Sequence, residues 1–494
     1  MDDKLHQERV LFYGLTAAVS IGLFFLHTLT DQGVLNDDGI NYIYAAHSVF
    51  EGNIALAKEY RPEFLFYGQI SLISQTLGLE IKTSAYLLSL VWQVILALGF
   101  IAIIRSFDKS RHTQWIGLLV FASLASLNDV RPHIIRGFGF WALQLWAIWA
   151  AIEFSTTRAW RFMCLWLILS IISVFYRAEG IAYLILIPAT FLLTRFFSVK
   201  QRIQFTCTLA ITAFVFVFAI DVLYYDNQNK IDHTSSITVS PLNKWQIEKD
   251  KLFHAVDLFD QLKKSIAPIL PSKWAARNVN DLILGGLIFH LFITILKTTN
   301  IPLLIFSLAN KSPPLPKRQP QQFILYCYAC AGIIIGLSAV FTKYFVSTRY
   351  VMLTALILCI PITLLLSRTY LRATKIQGAR FIFWKSALVI ISLTAILYPT
   401  LKTNDKKLYI QQSGQWVKAN IHDGQGIYFN DKKVAFYNSD YSNRSFNNHY
   451  SDIDYIFKQG FQYAVLHNRT TKQTNPISFD RNITQIKSFS NKQG

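Results

Sequence analysis

The sequence predicts an all-α polytopic membrane bundle of about eleven spanning helices. Interfacial helices are expected in its first outer loop, and a small extracytoplasmic α/β domain at its carboxyl end. Three observations predict this. Apolar residues make up 52% of the 494 residues and charged residues only 16%, and mean hydropathy is +0.31, a balance that suits a membrane bundle and not a soluble core. The apolar residues fall in runs long enough to cross hydrocarbon. The segments between those runs sort by charge, with basic residues crowded into every second connection.

The first run, Val10 to Leu29, follows Lys4 and Arg9 and is long enough to span. No small-x-small cleavage site precedes Asp31, so it reads as a retained first helix and not as a signal peptide. The outer loop that follows, about 29–82, is too apolar for a free linker. Asp38 to Phe50 and Pro62 to Leu77 each carry apolar residues at helical spacing with polar residues between, which suits helices lying in the interface. Further spans are expected near 83–104, 114–128, 138–154, 160–176, 178–197, 203–224, 282–309, 322–341, 350–367 and 382–399. The runs 114–128 and 138–154 are short, and a re-entrant pair there would leave the remaining topology intact. The stretch 281–309 is too long for one straight helix and contains Lys297, so a surface helix leading into a span is expected. A second long outer loop covers about 225–281.

This divides the chain into a membrane domain, 1–400, and an outer domain, 401–494. In the tail, Leu408 to Ile421 is amphipathic, Gly426 to Asn430 and Val434 to Tyr437 read as strands, Ser451 to Lys458 as a helix, and Phe461 to Leu466 as a third strand. Ile427, Phe429, Val434, Phe436, Val465 and Leu466 are its expected core. It contains no Gly-rich phosphate loop and no nucleophile elbow, so a structural or acceptor-docking lid is the simpler role.

Charge sets the expected orientation. Arg105, Lys109 and Arg111; Arg158 and Arg161; Arg195, Lys200 and Arg202; Lys311, Lys317 and Arg318; and Arg368, Arg372, Lys375, Arg380 and Lys385 all lie on one side, with Asp108 almost alone against them. That side is cytoplasmic by the positive-inside rule, which places the amino terminus inside and the carboxyl terminus outside. Much of the +19 net charge is therefore topology. No aromatic-and-basic RNA motif accompanies it, so nucleic acid is not an expected partner. The five cysteines fall in apolar segments, where no disulfide framework forms; Cys327 and Cys330 make a CxxC inside a span, which reads as small-residue packing.

Chemistry concentrates on the opposite side. Asp37-Asp38 stands just beyond the first span, in Asn36-Asp37-Asp38-Gly39-Ile40-Asn41-Tyr42. Asn-Asp-Asp-Gly also makes a good solvated turn. Adjacent carboxylates at a membrane surface nevertheless carry a solvation cost unless exposed, paired or used. Three short connections bring arginines to this side against the rule: Asp129-Val-Arg131-Pro-His133-Ile-Ile-Arg136, Tyr176-Arg177-Ala-Glu179-Gly180 and Lys343 to Tyr350, which contains Arg349. Singly each has a structural reading: Arg177 and Glu179 neutralise one another, and Arg349 snorkels to headgroups. Together with an acidic loop they suit an anion whose tail lies in lipid, because a guanidinium holds phosphate oxygens bidentately. That combination offers a base for an acceptor hydroxyl and cations for a departing phosphate. No Asp-x-Asp on a Rossmann-like strand accompanies it, which argues against a soluble nucleotide-sugar enzyme.

The chain resembles GT-C glycosyltransferases of the group that includes protein O-mannosyltransferases and the lipid A aminoarabinose transferase. The likeness rests on Asp38-Gly-Ile-Asn-Tyr42-Ile-Tyr-Ala-Ala46, Arg177-Ala-Glu179-Gly180, Ser347-Thr-Arg349-Tyr350, Gln415-Trp416-Val-Lys and the following Gly426-Ile-Tyr-Phe-Asn and Ala435-Phe-Tyr437. The family's first-loop motif is commonly Asp-Glu, whereas Gly39 follows Asp38 here. Its second acidic position has Asp129 and Glu179 as candidates. The resemblance implies a polyprenyl-phosphate-linked sugar donor, a lipid, glycan or protein acceptor, and transfer at the outer face of the cell membrane. Asp38 would be the general base or orient the acceptor, with Asp37 the alternative. Arg177, Arg349 and Arg136 would bind the leaving phosphate, Glu179 would position Arg177, and Glu63 or His133 would contact sugar or acceptor. A divalent metal near Asp37 and Asp38 stays open, since two adjacent carboxylates are not a coordination set by themselves. Two other classes also use outward arginines: a transporter or flippase for an anionic lipid or solute, and an O-antigen polymerase or ligase. The first should show internal repeats and broken helices with midplane polar residues, and no convincing repeat is seen. The second leaves the acidic loop and the tail domain less well explained.

The orientation is directly testable. Single cysteines introduced into the tail and into 310–320, in a background lacking the native ones, should differ toward a membrane-impermeant reagent on intact cells. The tail should label and 310–320 should not; the reverse pattern inverts the topology.

Overall fold

The computed structural model describes residues 2–31, 34–193, 198–228, 257–270, 272–309, 320–375, 379–401, 405–421, 426–439, 461–466 and 486–489. Among them seven helices are long and apolar enough to cross a membrane: Gln7–Thr30, Ile81–Phe107, Gly137–Thr157, Val279–Thr298, Pro320–Lys343, Thr348–Thr374 and Ile382–Leu401. The protein is thus a multi-pass, almost wholly helical membrane protein. Trp160–Tyr176 and Gly180–Thr190 are shorter apolar helices, and the helix Val199–Gln228 runs through the expected 203–224 span.

Two expected spans take a different form. The run 114–128 is two helices, Arg111–Ala122 and Ala125–Val130. The first, at 12 residues, is only about 18 Å long, short of the ~30 Å hydrocarbon core. Polar side chains bind the backbone where it breaks. The Asn128 side-chain amide donates to Ala122 O at 2.8 Å, and that of Asn300 donates to Ser123 O at 3.1 Å and to its hydroxyl at 2.8 Å. Non-helical backbone is tolerated at depth when its polar groups are met in this way. The run 281–309 is Val279–Thr298 followed by Ile301–Ala309. The long helix therefore comes first and the short one second, the reverse of the expected surface helix leading into a span, with Lys297 in the last turn of the long one.

The chain forms two compact units. The helical unit comprises Met1–Ser20, Trp92–Asn128 and Gly137–Ile396. Its helix Gly137–Thr157 is apolar nearly all round yet 83% buried, whereas Ile382–Leu401 is only 17% buried. Buried on every side, the first is a central helix; the second leaves its apolar surface for lipid. Small residues set the spacing. A side chain at Gly139 would run into the ring of Tyr176, itself fully buried with its ring edge-on to Trp92 at 5.3 Å. A side chain at Gly332 would meet Thr354 and Tyr183. Such positions let membrane helices approach closely where no hydrophobic force drives them together. Internal polar groups pair across helices, as in Gln144 to Ser173 at 2.6 Å and the Trp166 indole N–H to the Tyr328 hydroxyl at 2.7 Å.

The loop-and-tail unit comprises Ile21–Val91, Asp129–Arg136 and Leu397–Gly494. Its first-loop part contains helices Asp37–Phe50, Ile54–Tyr60 and Phe64–Leu77, one more than the amphipathic pattern suggested. The tail contributes helices Asp405–Asn420 and Lys432–Ser439 and two strands, Ile427–Phe429 and Tyr463–Val465, paired in parallel with Ile427 opposite Tyr463. The expected strand at 434–437 is part of a helix. Four residues of apolar sequence do not fix a period, and Asp431 starts a helix locally: its carboxylate accepts from Lys433 N at 2.8 Å and its carbonyl from Ala435 N at 3.2 Å. Ile410, Val417, Phe429, Val434 and Ala435 form the tail's core, with Ile427 and Val465 against it. Phe436, also expected in the core, is buried, with its ring edge-on to Tyr44 of the first loop at 5.8 Å. The helix expected at 451–458 lies outside the described residues.

Close packing at Gly139 gives a direct test. Gly139→Val should cost about 1–3 kcal/mol through overpacking, read as a lower melting temperature of the detergent-purified protein. Gly286→Ala, inside a helix where an added carbon meets nothing within 4 Å, should leave the melting temperature unchanged or raise it slightly. Equal behaviour of the two variants would contradict the packing described.

Candidate functional site

The acidic pair occupies the first turn of the helix Asp37–Phe50. Carboxylates are favoured there, because the unsatisfied N–H groups of a helix start carry partial positive charge. The preceding residue, Asn36, makes no side-chain cap bond. Its amide instead donates to Ile134 O at 3.3 Å and accepts from Ile134 N at 3.1 Å, tying the Asp129–Arg136 segment to the helix start. Gly39 makes this approach feasible: a carbon added there would stand 2.7 Å from the Asn36 oxygen and 3.2 Å from the Ile134 Cβ. A larger residue at 39 would displace the strap that Asn36 holds.

Cations surround the pair. Arg61, between the second and third loop helices, is ion-paired with Asp38 and lies 5.0 Å from the centroid of the Tyr42 ring. Lys433 reaches Asp37 at 3.2 Å and Lys432 at 3.7 Å, with Lys432 also bonding the Asn41 side chain at 3.3 Å. Arg136 pairs with Glu63 at 2.7 Å. Tyr42 is buried at the middle of these charges. Burial raises its phenol above the usual range; Arg136 and Arg61 oppose the rise, while Asp38 and Glu63 add to it. Burial lowers the Lys432 ammonium, Asp37 and Asp38 pull it back up, and Arg61 and Lys433 push it down. Two carboxylates and two guanidinium groups thus act on Tyr42, while Asp37 is faced by two ammonium groups. Asp38 keeps 34% of its side chain exposed. His133 is half-buried and Arg131 fully buried in the segment that Asn36 holds.

Arg177, Glu179 and Arg349 belong to the helical unit. Arg177 follows the helix Trp160–Tyr176 in extended conformation, and Gly180 opens the next helix so close that an added carbon would touch Ser173 and Val174 at 3.0 Å. This tight corner presents Arg177 to Glu179 through two N–H donors, at 3.2 and 2.7 Å, while a third reaches the Arg349 carbonyl at 3.5 Å. The guanidinium lies 4.9 Å from the Tyr350 ring centroid, and the Lys343 ammonium 4.4 Å from that centroid while also bonding the Tyr350 hydroxyl. Two cations sharing one ring form a basic, aromatic-backed patch at the helix ends. Arg349 is half-buried.

Of the residues expected from sequence, Asp37, Asp38, Glu63, His133 and Arg136 gather in one unit, and Arg177, Glu179 and Arg349 in the other. Sequence reasoning missed Arg61, Lys432, Lys433 and Tyr42. Arg61-Pro62-Glu63 offered a signal, an opposite-charge pair around a helix-breaking proline. Lys432-Lys433 carried none beyond two more lysines in a basic tail. No group of three or more metal-ligating side chains occurs among the described residues, and carboxylates already faced by Arg61, Lys432 and Lys433 do not fit a divalent ion. Compared with known proteins, the chain matches no family model and no curated protein.

Proposed function

We propose that this protein is an integral-membrane, inverting glycosyltransferase of the GT-C type. It would move a hexose or pentose from a polyprenyl-phosphate-linked donor to a lipid, glycan or protein acceptor. In this reading the bundle has about eleven spans, with the amino terminus cytoplasmic and transfer on the extracytoplasmic face of the cell membrane. One observation carries the reading: a part-exposed carboxylate, Asp38, is fixed at a helix start and held by Arg61 beside a buried tyrosine.

In the proposed step Asp38 takes the acceptor hydroxyl proton as the oxygen attacks the anomeric carbon. The bond from that carbon to the phosphate oxygen breaks on the opposite face, and the polyprenyl phosphate leaves with the electron pair. Arg349, Arg177 and Arg136 are the guanidinium groups proposed to meet the phosphate, with Glu179 setting the plane of Arg177 and Glu63 that of Arg136. His133, half-buried on the strap, is the proposed contact to sugar or acceptor.

The test is a purified-protein assay with a panel of polyprenyl-phosphate sugars, scoring donor binding and product separately. Asp38→Asn keeps shape and removes basicity, so transfer should fall roughly 10²–10⁴-fold while donor binding persists. Arg349→Ala should weaken binding and transfer together, because the phosphate is present in ground and transition states alike. Arg349→Lys should recover part, since a point charge cannot reproduce the fork. Near-normal turnover by both Asp38→Asn and Asp37→Asn variants sinks the base assignment. Wild-type protein that moves lipid across vesicles without product favours the transporter.

A further inference from the structure

The tail helix Lys432–Ser439 serves two neighbours at once. Val434 and Ala435 enter the tail core. Lys432, Lys433, Phe436 and Tyr437 meet the first loop: both lysines at Asp37, Phe436 at Tyr44, and the Tyr437 hydroxyl accepting from Leu35 N at 2.8 Å. The helix is held from behind by a close approach at Gly414, where an added carbon would stand 2.6 Å from both Tyr437 Cβ and the Val434 carbonyl. Lys433 is only 11% exposed although its partner Asp37 is 55% exposed. A pair between two solvated groups would contribute little. Here a nearly buried ammonium depends on a carboxylate for its charge balance, and losing Asp37 leaves that ammonium uncompensated.

We infer that this tail helix is a working part of the site, with Lys433, assisted by Lys432, as a positioning residue that holds Asp37 and so the helix turn carrying Asp38. The inference deepens the glycosyltransferase reading and rests on it. It gives the two carboxylates different partners: Asp37 is the anchor for the tail lysines, and Asp38 is ion-paired with Arg61 on the loop itself. Tyr437 closes the same clamp one step earlier in the chain, at Leu35.

The experiment uses the full-length protein in detergent or nanodiscs and two readouts. The first is hydrogen exchange of the 35–42 segment, which does not depend on catalysis. The second is steady-state kinetics with whichever polyprenyl-phosphate sugar of the panel turns over fastest. Lys433→Met should speed exchange at 35–42 by about tenfold or more and lower kcat by up to roughly 10²-fold, as small misplacements of a reacting group do, with KM for donor little changed. Lys433→Arg should restore most of both. Asp37→Asn should mimic Lys433→Met, and the double variant should be no worse than either single one, because they break the same contact. Tyr437→Phe, which keeps the ring, should release the Leu35 amide alone. Unchanged exchange in Lys433→Met overturns the inference whatever the activity. Faster exchange with unchanged kcat overturns the positioning role. Faster exchange in a protein that shows no transfer with any donor overturns the glycosyltransferase reading and leaves the docked helix standing.

Discussion

Two adjacent carboxylates at a helix start, in a chain that is otherwise mostly apolar, have to be compensated, and the loop-and-tail unit is arranged around that compensation. The helix start supplies some positive potential. Arg61 supplies a guanidinium from the same loop, and Lys432 and Lys433 bring ammonium groups from nearly four hundred residues away in sequence. Remove the carboxylates, and a half-buried lysine, a nearly buried lysine and an arginine stacked near Tyr42 lose their counter-charges together. This mutual dependence explains why the tail groups with the first loop and not as a free-standing appendage.

The two carboxylates differ in exposure and in partner. Asp38 stays about one-third exposed while ion-paired with Arg61, and Asp37 is more than half exposed beside the tail lysines. The proposed reaction needs the acceptor to approach Asp38 on its exposed side. The basic patch of the helical unit is balanced differently. There Glu179 takes two of the Arg177 donors and two cations share Tyr350, which together set the guanidinium plane.

Much of the fold was legible in the sequence because membrane spans are written in long, unambiguous runs. The first helix, the helices near 83–104, 138–154, 322–341, 350–367 and 382–399 and the tail helix near 408–421 all stand where hydropathy and periodicity put them. What hydropathy could not show was where a run breaks. The break at Ser123 is met by the Asn300 side chain, which donates to the Ser123 carbonyl and hydroxyl from far along the chain, a tertiary effect with no local signature. Val434 to Tyr437 was too short to carry a period, and Asp431 decided for a helix. In the site, residue types were readable and partners were not. Asp37, Asp38, Glu63 and Arg136 stood out as charges in an apolar context, but only folding reveals that Glu63 belongs to Arg136 and that the tail lysines belong to Asp37. Gly39 likewise becomes understandable once Asn36 and Ile134 are seen against it.

The central claim is group transfer from a lipid-linked sugar, and the most direct measurement is mass spectrometry of surface glycans, lipids and proteins from cells with and without this chain. The account predicts loss of one hexose- or pentose-sized increment from a defined acceptor in its absence, with the matching polyprenyl-phosphate sugar accumulating, and restoration by the wild-type chain. Identical acceptor profiles in the two cell populations, with the lipid-linked sugar unchanged, would contradict it.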